Sequence, residues 1–98
     1  MARHFDLLIH AQHRLQICAF LSPVESAEFS AIREDVGLSD SLLSKNLSAL
    51  ADAGYVKLNK RTVDSRVRTW VSLTKAGRSA FKGHVSTLQQ IVDAATNS

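Results

Sequence analysis

The sequence contains one cysteine and no long apolar run in its 98 residues, and each of these features excludes a class of structure. Cys18 cannot form an internal disulfide, which fits a reducing compartment. No segment approaches the roughly 20 apolar residues that a membrane helix requires, and no basic segment leads into an apolar signal core at the N-terminus. We therefore predict a cytoplasmic protein with no membrane association.

The groupings of residues on which enzyme chemistry depends are also missing. The sequence offers no nucleophile beside a base, no paired carboxylates and no glycine-rich loop that could cradle a phosphate. We predict that the protein is not an enzyme and uses no cofactor.

The composition that remains is that of one small globular domain. The chain is 45% hydrophobic and 21% charged, and 98 residues are too few for two independent cores. We predict a single domain over residues 1–98, with a core fold at about 5–80 and a final helix at about 75–95. The formal charge of +3 and the pI near 9.4 permit a polyanionic partner.

Hydrophobic spacing predicts three helices in the first half of the chain. The first covers about residues 5–21 and is ended by Pro23. The second is short, with Ser30 as its N-cap and Gly37 as its terminator. The third begins at a Ser39 cap and is closed by Gly54. Its core stripe consists of Leu43, Leu47 and Leu50.

Two alternating segments, YVKLNK and RVRTWVSL, predict a β-hairpin after the third helix. The bend lacks an Asn-Gly pair, so we expect a longer, mobile loop with Asp64 and Ser65 at its tip. A very short strand near Glu28 and Phe29 could pair with the hairpin. The predicted fold class is thus mainly α (α+β): a three-helix core, a hairpin and a long final helix.

Thr74 is the predicted cap of the final helix, which runs to about Ala95. Gly77 and Gly83 fall inside it, and each costs about 1 kcal/mol relative to alanine. A close backbone contact or a bend at these positions would explain them.

The third helix has a small, polar face opposite its leucine stripe. Such a face suits a helix that enters the DNA major groove, because bulky side chains would hold its backbone away from the base edges. Ordinary solvation of a surface helix is the alternative. Leu42, at the edge of this face, either packs on a neighbouring helix or meets a thymine methyl. The candidate groove residues are Ser39, Asp40, Ser41, Leu42, Ser44, Lys45 and Ser48.

The hairpin that follows carries a cluster of basic residues around its bend. With only Asp64 opposing them, they could contact phosphates beside the groove, although a solvated loop is again the alternative. Trp70 is expected to point away from the core face of its strand, so a dimer or DNA-proximal contact could cover it, and a core tryptophan at a twist of the strand is the alternative. The basic candidates are Lys60, Arg61, Arg66 and Arg68.

Together these segments resemble a known family. The stretches LSDSLLSKNLSALADAGYV and RTWVSLTKAGRSAF are similar to those of compact, stand-alone winged-helix transcriptional regulators of the MarR and ArsR types. The resemblance covers nearly the whole chain. It implies a winged helix-turn-helix fold and a sequence-specific regulator of double-stranded DNA, most simply a repressor. A recognition helix at about 39–53 would lie in the major groove, and a wing at about 59–69 would contact the backbone or minor groove.

The final helix supplies more apolar surface than one protomer needs. A second copy of the chain would cover it, giving a two-fold homodimer. Two recognition helices would then face successive major grooves roughly 34 Å apart, which predicts a palindromic operator. A helix folded back on its own domain is the alternative. The predicted interface residues are Leu7, Leu8, Val85, Leu88, Ile91 and Val92, with Ile9 beside them.

Two other functions remain open at this level. The same shape could serve as an adaptor that binds a protein or RNA, since a fold does not fix a function. A metal-responsive, ArsR-like sensor would use His10, His13 and Cys18, but this spacing is common by chance and no carboxylate lies at ligand distance in the sequence. We predict no metal site. No residue indicates a small-molecule effector.

Overall fold

The computed structural model describes residues 5–97. Four helices and three strands follow one another in the predicted order, including the short strand before the second helix. The elements are α1 (Gln12–Leu21), β1 (Ala27–Glu28), α2 (Phe29–Val36), α3 (Asp40–Asp52), β2 (Val56–Val63), β3 (Arg66–Leu73) and α4 (Lys75–Thr96). The strands form one antiparallel sheet in the order β1-β3-β2.

The first helix begins later than its apolar pattern predicts. Residues 7–9 form a turn, and α1 starts only at Gln12. The carboxylate of Asp6 accepts hydrogen bonds from the backbone N–H groups of Leu8 (2.9 Å) and Ile9 (3.0 Å). An aspartate that bonds nearby backbone groups offers the chain an alternative to the helix. Ile9 is fully buried in the core of its own subunit, so its predicted place at the dimer interface is wrong.

The second helix begins one residue before the predicted cap. Glu28, not Ser30, is the N-cap of α2, and no side chain caps the helix there. Glu28 is also the last residue of β1 and pairs with Trp70, so strand pairing fixes the start of α2. Its end is as predicted, because Gly37 adopts a left-handed conformation with φ of 75°.

The third helix follows its prediction closely. The Ser39 hydroxyl accepts a hydrogen bond from the Leu42 N–H at 3.2 Å. The three predicted leucines of the stripe are at most 2% exposed. Gly54 ends the helix region with φ of 78°, and the next N–H, that of Tyr55, donates to the Leu50 carbonyl at 2.9 Å. This is the hydrogen bonding of a glycine-terminated helix.

The hairpin is tighter than the sequence predicts. Its register runs from Val56 opposite Leu73 to Val63 opposite Arg66, which leaves only Asp64 and Ser65 in the turn. The predicted longer loop is therefore wrong, although the bend residues were right. Both turn residues have positive φ, 51° and 64°, as in the mirror-image turns that match strand twist. Aspartate tolerates this region better than most residues, so no Asn-Gly pair is needed.

The last helix starts at its predicted cap and then leaves the body of the protein. The Thr74 hydroxyl accepts a hydrogen bond from the Gly77 N–H at 3.0 Å. His84 and Thr87 are buried, but every residue from 89 to 97 is exposed. Across residues 5–97, no helix is long and apolar enough to cross a membrane.

Gly77 makes the close backbone contact that its position in a helix predicts. A Cβ at this position would overlap the carbonyl oxygen of Tyr55 and lie 2.8 Å from its carbonyl carbon. The obstacle is backbone, which cannot rotate aside. The same carbonyl accepts a hydrogen bond from the Thr74 N–H at 3.0 Å, so α4 is held directly against the junction between α3 and β2.

Gly77→Ala is therefore expected to lower the free energy of unfolding by about 1–3 kcal/mol, the usual cost of overpacking. This would occur although alanine favours a helix by about 1 kcal/mol over glycine. Urea denaturation measures the change, with Ser79→Ala as the matched control at an exposed position of the same helix. A Gly77→Ala protein as stable as the control would show that the contact with Tyr55 is not tight.

Candidate nucleic-acid interface

The outer face of α3 is open to solvent along its whole length. All seven candidate residues, from Ser39 to Ser48, are exposed. On the opposite side the helix is fixed to the core by its leucines, and the buried Asn46 donates from its side-chain amide to the Leu42 carbonyl of the same helix at 2.8 Å. Arg14 of α1 donates to the Asn46 side-chain oxygen at 3.1 Å. The polar face is thus presented by a rigidly packed helix.

The N-terminus of α3 is tied to α2 by an ion pair. Arg33 donates to a carboxylate oxygen of Asp40 at 2.7 Å. Asp40 also lies in the first helical turn, where a negative charge is favoured by the helix dipole. A pair this exposed adds little stability, but it fixes the direction of the Asp40 side chain at one end of the candidate surface.

The hairpin lies against this face. One groove is lined by Ser44 and Ser48 of α3 together with Lys60 and Thr69 of the two wing strands. A second groove, of about 380 Å³, joins Asp40 and Ser44 to Arg68 and to Ser30 at the start of α2. Serines of the third helix and cations of the hairpin therefore border the same surface.

The four basic residues of the hairpin are in different environments. Arg68 donates to a carboxylate oxygen of Glu28 at 2.7 Å. The guanidinium of Arg61 lies 4.9 Å from the centre of the Trp70 ring, within the range of a cation–π contact. Lys60 and Arg66 are exposed. Part of the positive charge of the predicted cationic surface is thus neutralised by Glu28. This ion pair was not predicted, because the two residues lie 40 positions apart in the sequence.

Trp70 is half-buried on the sheet face that carries Arg61 and Arg68. It therefore points away from the buried Val71 and Leu73, as strand alternation predicts. Its ring is a platform for Arg61. Leu42 is 37% exposed and borders a groove that His13 and Arg14 of α1 also line. It therefore lies at the edge of the exposed face of α3, on the side next to α1.

The residues of the predicted dimer surface on α4 and in the N-terminal segment differ in their exposure to solvent. On α4, Val85, Ile91 and Val92 are 41%, 46% and 51% exposed, and Leu88 is half-buried. In the N-terminal segment Leu7 is 79% exposed. Leu8, however, packs against the core of its own subunit, because the Asp6 turn directs it inward.

The three weak metal candidates do not come together. Cys18 is fully buried in the core, where burial raises the pKa of its thiol to about 11, so it stays protonated and unreactive. His13 borders the groove beside Leu42, and His10 contacts a different histidine. Across residues 5–97, no three histidine, cysteine or acidic side chains are placed to hold a metal ion.

His84 is a residue that sequence reasoning missed. Its side chain is fully buried on α4, Nδ1 accepts a hydrogen bond from the Asp6 N–H at 2.9 Å, and Nε2 lies 3.1 Å from Nδ1 of His10. Its position at helical spacing between Phe81 and Leu88 is the sequence signal that could have indicated a buried imidazole. Burial, and secondarily the nearby His10, lower the pKa of His84, with Asp6 opposing them.

Asp6 is held by Tyr55, whose hydroxyl donates to its second carboxylate oxygen at 2.5 Å. Burial raises the pKa of Asp6, but the hydrogen bonds from Tyr55, Ile9 and Leu8 outweigh it, and the net pKa is lowered. The hydrogen bond to Asp6, followed by burial, raises the pKa of Tyr55. Asp6 is therefore a fixed carboxylate that organises the N-terminal segment.

Comparison with known proteins agrees with this geometry. The family model "Winged helix DNA-binding domain" matches residues 13–92. The uncharacterized protein MJ0432 of Methanocaldococcus jannaschii is 33% identical over 78 residues, which cover 80% of this chain and 85% of that protein.

Solved structures show the same architecture. A transcriptional regulator homologue from Pyrococcus horikoshii OT3 is 32% identical with a TM-score of 0.85, over 90% of this chain and 87% of that one. A MarR-family transcriptional regulator from Silicibacter pomeroyi shares the fold at 23% identity and a TM-score of 0.68, over 90% of this chain and 58% of that one. The winged helix-turn-helix predicted from the sequence is thereby confirmed, and the chain belongs to the winged helix DNA-binding domain family.

Proposed function

We propose that the protein is a sequence-specific, double-stranded DNA-binding repressor that acts as a homodimer. The recognition helix, at about residues 39–53, enters the major groove, and the wing, at about 59–69, contacts the backbone or minor groove. The observation that carries this proposal is the shared groove between α3 and the hairpin, where Ser44 and Ser48 face the same space as Lys60.

The chemistry of this surface suits a duplex. Small side chains let the helix backbone come close to base edges, and serine hydroxyls can donate or accept hydrogen bonds there. Lys45 suits guanine or a phosphate. Asp40, aimed by Arg33, carries a negative charge that phosphates would repel, so it suits a base-edge donor such as the cytosine amino group.

The wing supplies the sequence-independent part of binding. Lys60 and Arg66 are exposed, and Arg61 rests on Trp70. Counterion release from the duplex makes such contacts strong and salt-dependent. Arg68 contributes less net charge, because Glu28 already pairs with it.

The apolar face of α4 supports association of two copies. Ile91 and Val92 are exposed on the part of the helix that extends beyond the core, and Val85 is exposed nearer its packed half. An isologous contact of two such helices would bury these side chains. A two-fold dimer presents two recognition helices to successive major grooves, so its operator would be palindromic with half-sites roughly 34 Å apart.

Repression requires only that the operator be occupied, so it is the simplest mode for this surface. With this role the protein would act in the cytoplasm. Selection of bound fragments from random DNA tests the whole proposal, because the recovered motif reports specificity, half-site spacing and symmetry. Failure to enrich any motif, together with absence of duplex binding at low salt, would contradict it and would favour a protein or RNA partner.

The wing predicts a defined salt response. Arg61→Ala and Arg66→Ala should each weaken binding to random duplex DNA and reduce the slope of log affinity against log salt by about 0.9, the value for one lost phosphate contact. Fluorescence anisotropy at several salt concentrations measures this slope. The control is Lys75→Ala, which removes one positive charge at the start of α4. Equal slopes in all three variants would rule out phosphate contacts by the wing.

The recognition face predicts a loss of specificity when a bulky side chain is added. Ser44→Leu should lower affinity for the selected operator by about 1–3 kcal/mol, the worth of one base contact, with little change on random DNA. Ser79→Leu makes the same exposed substitution on α4 and should leave both affinities unchanged. The ratio of operator to random affinity is the measurement, and an unaltered ratio for Ser44→Leu would remove α3 from base recognition.

The dimer is tested on the exposed half of α4. Val92→Glu should produce folded monomers, because the charge would be buried in an apolar interface without a partner. Gln90→Glu introduces the same charge about 160° away around the helix and should stay dimeric. Light scattering after gel filtration reports the mass, and circular dichroism confirms folding. A dimeric Val92→Glu protein would place the interface elsewhere.

A further inference from the structure

The cluster formed by Asp6, His10 and His84, with Phe5 against both imidazoles, does not belong to the proposed DNA-binding surface. The Phe5 ring centre lies 4.7 Å from each imidazole centre. His84 is completely buried and His10 is exposed on the outer side of the pair. A solvent-accessible imidazole is thus in direct contact with an inaccessible one.

The hydrogen bonds define the protonation state of this cluster. A backbone N–H can only donate, so Nδ1 of His84 must accept from Asp6 and carry no proton. The proton of neutral His84 is then on Nε2, which faces Nδ1 of His10 at 3.1 Å. Nδ1 of His10 must accept that proton. The chain from Asp6 through His84 to His10 is complete only when both imidazoles are neutral.

Any added proton places two donors face to face. If His84 takes it, its Nδ1–H opposes the Asp6 N–H. If His10 takes it, its Nδ1–H opposes the Nε2–H of His84. Moving the His84 proton to Nδ1 relieves the second conflict only by creating the first. Every singly protonated form therefore loses one part-buried hydrogen bond, and two facing imidazolium ions would also repel.

We propose that the His10–His84 pair is a proton-sensitive contact that holds the N-terminal segment, residues 5–11, on α4, and that proton uptake releases this segment and weakens the dimer. The effect on the dimer rests on the proposed function. Release of the segment does not.

The histidine pair lies where release of the N-terminal segment would affect the proposed dimer interface. The segment that would be released carries Ile9, which is fully buried in the core. His84 precedes Val85 and lies one turn before Leu88, where the apolar surface of α4 begins. Loss of the segment would remove packing from one side of α4 at the base of the proposed interface.

The surrounding charges favour the neutral form without preventing protonation. From the N-terminal segment, the Asp6 carboxylate would stabilise an imidazolium, but three hydrogen bonds already hold it. From the α3–β2 junction, Tyr55 bonds that carboxylate and stays neutral. From α1, the buried Cys18 thiol also stays neutral. Arg14, also on α1, donates to the Leu8 carbonyl.

The sign of the pH dependence follows from the lowered pKa of His84. As pH falls, the unfolded or released histidine, with a pKa of about 6.5, binds a proton at a higher pH than the buried histidine does. The contact is therefore fully stabilising above pH of about 6.5 and is progressively lost as pH falls below that value. A metal ion in place of the proton is disfavoured, because the pair offers two neutral ligands and no free carboxylate.

Imidazole NMR of the intact protein tests release of the segment directly, whether or not the protein binds DNA or dimerises. Above the transition His84 should be the Nε2–H tautomer. On acidification the Asp6 amide signal and the His84 tautomer signal should disappear together. A His10 that titrates while the Asp6 amide and His84 signals stay unchanged would overturn the proposal, and so would loss of the His84–His10 contact on adding a chelator at neutral pH.

Variants test the effect on association. Between pH of about 7.5 and about 5.5 at constant ionic strength, the wild-type dimer dissociation constant should rise severalfold, because proton uptake releases the segment that packs beside the interface. His10→Asn keeps an oxygen that can accept from the His84 Nε2–H but does not titrate, so its rise should be smaller. His13→Asn replaces a histidine of α1 outside the pair and should behave as wild type. Identical rises in all three proteins, measured by sedimentation equilibrium, would overturn the coupling.

Discussion

Tyr55 is the residue on which the arrangement of the other elements depends. Its N–H bonds the Leu50 carbonyl and so completes the end of α3, and its carbonyl accepts from Thr74. The absence of a side chain at Gly77 lets α4 lie against that carbonyl. Its hydroxyl reaches Asp6 at the other end of the sequence. The recognition helix, the return strand of the wing, α4 and the N-terminal segment are thereby positioned relative to one residue.

The parts of the fold that were predictable are those set by local chemistry. The Ser39 and Thr74 caps, the left-handed Gly37 and the leucine stripe of α3 each depend on residues within a few positions, so pattern and side-chain chemistry sufficed. The same holds for the outer face of α3, which is exposed because the opposite face is leucine. Gly77 was noticed as costly, although its partner could not be named.

The sequence-based predictions were wrong or incomplete where a residue distant in sequence, or an unusual backbone conformation, determined the local structure. Asp6 ends the helical pattern at the N-terminus because Tyr55 and His84 hold it in a turn. Pairing of Glu28 with Trp70 fixes the start of α2. The two-residue turn forms because Asp64 and Ser65 accept positive φ. At the interface, the Glu28–Arg68 pair is 40 residues apart in sequence, and no local pattern could have revealed it.

Acidic side chains on the candidate DNA surface limit the ways in which a duplex can approach. Glu28 holds Arg68, and Arg33 holds Asp40, so each carboxylate lies beside a cation that could otherwise bind phosphate. A uniformly cationic face would bind every sequence strongly and discriminate little, since phosphate contacts carry no direct sequence information. Pairing two of the arginines with carboxylates lowers that general attraction. In the proposed complex the remaining affinity would then depend more on the serine face, whose hydrogen bonds would differ from one base pair to another.

Helix α4 has two parts in different environments, because only its first half packs against the core. Gly77 and His84 pack inward, whereas Ile91 and Val92 lie beyond the body with nearly half their surface exposed. A continuous helix transmits the orientation of its packed half to its free half, since its backbone hydrogen bonds resist bending. The spacing between two recognition helices would therefore be sensitive to small changes in packing near His84. Small shifts there would be amplified by the length of the helix, and for this reason the buried imidazole could alter the geometry of the proposed dimer on DNA.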